Sequence, residues 1–206
     1  MTSQMPDVMH IEDEVWWLWG VNGEGFFEPS EHGLNVSGWS STACYRGFQS
    51  TYQIHLDYLR LHWLEINLDK STALPINGRS PRKRSEKDFP AWGNWIYPEV
   101  ELPILFSGGL LLCRERVKKP PCGTGPELAW AVEHAQELVF ENGRLMESHN
   151  RSRAMAEIRE EVAANNGEII ITVPVDDGHQ AVAYARYKSI EAKINSCFRF
   201  DYRNKL

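Results

Sequence analysis

STACYRGFQSTYQI, residues 41–54, decides how the chain is read. Cys44, Phe48, Tyr52 and Ile54 recur at a spacing of two, the period of a half-buried β-strand. Arg46 falls on the same apolar side. An unpaired guanidinium on a buried face costs several kcal/mol, about what is lost when a buried ion pair is broken. Two arrangements avoid that cost. A bulge at Gly47 would switch the strand's phase, placing Cys44 and Arg46 on one side and Phe48 on the other. Alternatively Arg46 pairs with a carboxylate and backbone carbonyls, acting as a structural or ligand anchor. Glu101 and Glu137 are the candidate partners, because an arginine's planar fork of donors suits tying strand ends together.

Working outward, LDYLRLHWLEINL continues as strand. Its apolar phase shifts from Leu59, Leu61 and Trp63 to Leu64, Ile66 and Leu68, which predicts a bulge. Asn-Gly pairs mark turns, since both residues accept positive φ. Asn142-Gly143 in ELVFENGRLMES predicts a hairpin with Phe140 opposite Leu145. Asn22-Gly23 predicts a second, with Trp19 opposite Phe26 and Leu18 opposite Phe27. Asn77-Gly78 has weaker flanks and reads as a loop. LFSGGLLLCRERV reads as one or two strands meeting at Gly108-Gly109. After Ser148 the texture changes: Met155, Ile158 and Val162 space as one helical face, EIIITVPV reads as a strand, and a second helix follows around Ala183–Ile194. The expected architecture is α+β, mainly an antiparallel β-sheet of hairpins with C-terminal helices. Its expected organisation is a flexible N-terminus (1–8), a β-rich domain (9–148) and a helix–strand–helix extension (149–206) packed on that same domain.

The segment TACYRGFQSTYQI, then LDYLRL, LFSGGLLL and ELVFENGRL, in that order, resembles a widespread bacterial family of small uncharacterised proteins. That family carries "STALWRGYxATWEI", a following hairpin, "WFSGxLRI" and "ELxLxIENG" segments. The similarity runs over about residues 9 to 147, with Tyr45 standing where the family has Trp. The resemblance implies a mostly β protein and brings no catalytic signature. Some β-rich bacterial families of this size are immunity proteins for toxins, an analogy of architecture.

Composition narrows the function. The chain has 206 residues, 42% of them hydrophobic, so a packed core is expected rather than disorder. A net charge of −6 argues against a general nucleic-acid binder, which needs a basic face. The longest apolar stretch, around Pro103 to Cys113, is too short to span a bilayer, and no signal peptide is read at the start. A cytoplasmic protein with no membrane contact is expected. Cys44, Cys113, Cys122 and Cys197 lack metal-ligand spacing and read as free thiols, with a Cys113–Cys122 bridge as the alternative; no metal or cofactor is expected.

Three functions follow. The first is a non-catalytic protein-interaction module, immunity-like, using Trp17, Trp39, Trp92 and Trp95 as its surface, since exposed tryptophans beside polar residues are what binding hot spots look like. The second is a small enzyme with Cys44 as nucleophile, His55 or His62 as base, and Arg46 lowering the thiol pKa. The third is a small-ligand protein with an aromatic pocket. The C-terminal extension is the expected place for a homodimer contact.

Overall fold

The opening stretch turns before it extends. In the computed structural model, which describes residues 5–38, 42–69, 73–88, 93–117, 131–164 and 196–202, residues 42–47 form turns and Gly47 sits at φ +75. Only then does the strand begin. Residues described by strands run in the order β1 (Asp7–Ile11), β2 (Glu14–Glu24), β3 (Phe48–His55), β4 (Tyr58–Ile66), β5 (Arg82–Lys83), β6 (Trp95–Tyr97), β7 (Leu102–Pro103), β8 (Ser107–Arg116), β9 (Val132–Glu141) and β10 (Arg144–Asn150), followed by the helix α1 (Ser152–Ala164). The architecture is mainly β-sheet with a helix late in the chain. It is mixed rather than purely antiparallel, because β1 and β3 pair in parallel through Val8↔Thr51, Met9↔Tyr52 and His10↔Gln53.

The chain falls into two compact units that interleave in sequence. Met1–Leu18, Gly23–Gly108 and Val139–Glu147 make the first; Trp19–Asn22, Gly109–Leu138 and Ser148–Leu206 make the second. Strands β2, β8, β9 and β10 therefore contribute residues to both. In the first unit the hydrogen-bonded order is β2-β1-β3-β4-β6-β5, with β7 on β4 and a contact of β10 with β4 at Arg144↔Tyr58. Burial alternates along these strands as a one-sided sheet requires. Met9, Tyr52, Leu61, Leu64 and Ile66 face inward and are fully buried. Removing each such side chain from water stabilises the fold by about 1.5–3 kcal/mol before entropy is counted.

The predicted bulge is present. Thr51 pairs with Trp63 while Tyr52 pairs with Leu61, so His62 is the extra residue and the inward set resumes at Leu64. The Asn142-Gly143 turn is also present, at φ 47 and 79. Asn77 and Gly78 (φ 46 and 73) form a tight turn closed by an Ile76↔Arg79 bridge, firmer than the loop expected.

The Asn22-Gly23 hairpin is not. Both residues lie inside the single strand β2, and the hairpin is instead β1–β2, turning after Ile11 with Glu12 at φ 53. Gly23 is kept for a different reason: a Cβ there would collide with the Ser107 carbonyl and the Gly108 backbone.

In the second unit the order is β10-β9-β8-β2. Trp19, Leu111, Cys113, Val132, Ala135, Met155, Ile158, Phe198 and Tyr202 share one buried cluster. Met155 and Ile158 of α1 are thus buried as their spacing predicts, and Phe198 and Tyr202 pack with them. The expected strand 168–175 lies outside the described residues, as does most of the second expected helix.

Candidate functional site

Arg46 is answered first. Its Nη1 donates to Asp7 Oδ2 at 2.9 Å, its Nη2 donates to Asp7 Oδ1, and its Nε donates to the Phe48 carbonyl at 2.9 Å. The guanidinium also lies over the Phe48 ring, 4.6 Å from its centre. Asp7 is nearly buried and accepts a further bond from the Ser50 amide at 2.6 Å. Burial of the guanidinium opposes its charge, and the carboxylate more than offsets this, so the Arg46 pKa is raised. The paired arrangement holds, with a corrected partner: Asp7 and neither Glu101 nor Glu137. The brace ties the start of β1 to the start of β3, and residues 7 and 8 of the stretch expected to be flexible belong to β1. Asp7 was legible only as an acidic residue near the start of the chain.

Glu137 is a separate anchor. It is fully buried on β9 and accepts from Arg151 Nη2 at 2.6 Å, from the Arg199 amide at 2.9 Å, and from the Tyr202 hydroxyl at 3.2 Å. Burial first, and the Glu137 charge second, push the Tyr202 hydroxyl pKa up.

The proposed nucleophile sits in the core. Cys44 is 1% exposed, and its Sγ–H donates to the Phe48 carbonyl at 3.4 Å. His55 is at the exposed end of β3. His62 is engaged elsewhere: its Nδ1 meets Glu101 Oε1 at 2.5 Å. Against a carboxylate that nitrogen carries a proton. Gln53 Nε2 donates to both Glu101 oxygens, at 2.9 and 2.7 Å, and Arg60 Nη1 stands 4.0 Å from Oε2. Glu101 itself is held at φ +50, with Asn77 Nδ2 donating to the carbonyls of Val100 and Glu101 at 3.0 Å. So two residues singled out from sequence, His62 and Glu101, do meet, but as a pair with each other. Among the described residues no group of three His, Cys, Asp or Glu side chains could hold a metal ion. Cys44 and Cys113 are free thiols, Cys122 lies outside the described residues, and burial raises the Cys113 thiol pKa.

Of the four tryptophans, Trp17 is exposed on the outer side of β2. Trp95 is partly covered, with the Lys83 ammonium 5.7 Å from its ring. Trp39 and Trp92 lie outside the described residues.

A different apolar surface stands out. The β3–β4 turn, Leu56-Asp57, has φ 51 and 66. This is a tight turn needing positive φ at both positions, which Asn-Gly provides and leucine resists. Leu56 is nonetheless there and 78% exposed. Backbone bonds gather its neighbours: the Leu145 amide donates to the Asp57 carbonyl at 2.7 Å, Leu59 to Gly143 at 2.8 Å, and Ile104 to Leu59 at 3.0 Å. Tyr58, Leu105 and Met146, all exposed, are chain neighbours of the residues these bonds join.

Set against known protein families, curated proteins and solved structures, the chain matches none. No described helix is long and apolar enough to cross a membrane.

Proposed function

We propose that this chain is a non-catalytic protein-interaction module and that its contact is the tip formed by Leu56, Tyr58, Leu105 and Met146. Leu56 carries the reading. A bulky side chain kept in left-handed backbone is a strain that persists where it serves something other than stability. Here it yields little burial, because the side chain is 78% exposed. Large apolar groups grouped at an exposed tip are what a partner's recess desolvates. Asp57 in the β3–β4 turn, Glu141 at the end of β9 and Glu147 within β10 outnumber Arg144, which pairs with Tyr58, and this favours a partner with a basic rim. In the immunity-like form of this reading the partner is a toxin, blocked by surface complementarity. Membership in the bacterial family that residues 41–54 resemble is part of the same proposal.

The test is capture from the lysate of its own cells with wild-type chain and with Leu105→Ser and Leu56→Asn variants. A partner held by the wild type and released by both variants supports the tip. A partner held equally by all three places the contact elsewhere.

A further inference from the structure

The outer side of the first unit's sheet carries a second arrangement, which shares only Tyr58 with the tip. Strand register puts Val15, His10, Gln53 and Arg60 abreast on β2, β1, β3 and β4. At a strand pitch of about 4.8 Å they form a row about 14 Å long. The bulge adds His62 beside Arg60. The next row, about 7 Å along the strands, is Trp17, Val8, Thr51 and Trp63. On the other side lies the His55↔Tyr58 pair. The polar row is thus flanked by exposed aromatic rings, Trp17 on one side and Tyr58 on the other.

Much of its bonding capacity is unspent. Among the described residues no hydrogen bond reaches the His10 ring or His62 Nε2. Gln53 gives its amide N–H groups to Glu101 and keeps its carbonyl oxygen. Arg60 stands against the Glu101 carboxylate, and burial, then the neighbouring His62, lower the His10 pKa. The row's cation and carboxylate thus oppose each other within the face. A protein face laid over the row would strand several of these groups without water, a desolvation penalty for each. Hydroxyl groups, each both donor and acceptor, match them, and sugar rings present an apolar face to an aromatic ring.

We propose that this face binds a neutral oligosaccharide. One pyranose stacks on Trp17, with its neighbours running across His10, Gln53 and His62 toward Tyr58. Binding is not accompanied by cleavage. Glycoside hydrolysis needs two carboxyl groups flanking the bond, and the row has one, Glu101, whose oxygens are already occupied.

The experiment titrates the full chain with cellohexaose, maltohexaose, xylohexaose and chitohexaose, using hexagalacturonate as the acidic control, by calorimetry and tryptophan fluorescence. At least one neutral probe is expected to saturate with micromolar to low-millimolar affinity, independent of salt. Trp17→Ala should weaken it about ten-fold. His10→Ala, at an exposed position that leaves the core untouched, should weaken it about three-fold. A Leu56→Asn, Asp57→Gly variant should bind unchanged, which separates this face from the tip. Saturation by none of the neutral probes, preference for the acidic one, or unaltered binding by Trp17→Ala overturns the proposal.

Discussion

Replacing Leu56-Asp57 by Asn-Gly should make the protein more stable and a poorer binder at once. A non-glycine L-residue in left-handed backbone gives up about 1–2 kcal/mol, and both turn residues are in that region, at φ 51 and 66. Asparagine relieves part of the cost at position 56 and glycine removes it at 57. Against this stand two losses. Glycine loosens the unfolded chain by about 0.5–1 kcal/mol. Leu56 is 78% exposed, so its truncation forfeits about a fifth of a buried leucine's contribution, or about 0.5 kcal/mol. The net gain is about 1 kcal/mol, or a rise in Tm of about 2–4 °C for a chain of this size. Urea unfolding followed by tryptophan fluorescence, with thermal circular dichroism beside it, measures this directly. Leu56→Asn alone isolates the first position. A fall in stability for the single variant would show that the leucine packs in a way its exposure conceals, and the argument from strain to binding would collapse.

Other outcomes follow from the braces and the turns. Arg46→Met should cost about 2 kcal/mol, below the 3–5 of a fully buried pair because the guanidinium side chain is 38% exposed. Adding Asp7→Asn should recover part of that loss in a double-mutant cycle, and strict additivity would dissolve the brace. Gly143→Ala should lose about 2 kcal/mol or more in denaturant titration, since φ is +79 and the new Cβ would run into the Ile104 carbonyl. His10 has a folded pKa below 6.5. The unfolded chain therefore binds its proton first as pH falls, and stability should decline from pH 6.5 downward. His10→Gln should flatten that slope in stability measured between pH 7.5 and the acid transition, by the linkage relation.

What the sequence revealed was local. Asn142-Gly143 announces its turn because two adjacent residues tolerate positive φ, and α1 announces itself by apolar spacing within thirteen residues. The β4 bulge is visible because one extra residue flips every later side chain. What stayed hidden depends on partners far along the chain. Asn22-Gly23 carries the same dipeptide as a hairpin, yet runs straight because Gly23 is needed against Ser107 and Gly108. Leu56-Asp57 turns with a leucine where positive φ is resisted, held by the strands on either side. The parallel β1–β3 pairing joins residues some forty positions apart, and period-two spacing is blind to direction. The polar row was equally invisible: His62 and Glu101 stand 39 residues apart, and only their geometry makes them a pair.

Glu137 has a consequence for how the molecule is made. The amides of Arg199 and Phe200 and the Tyr202 hydroxyl that satisfy it lie 62, 63 and 65 residues downstream. A nascent chain leaving the ribosome exposes this carboxylate long before those groups exist. Until they arrive, the carboxylate on β9 has Arg151 to offset its charge but lacks its other hydrogen-bond donors. Closure of the second unit is therefore a late event of biosynthesis, timed by the arrival of residues 199–202.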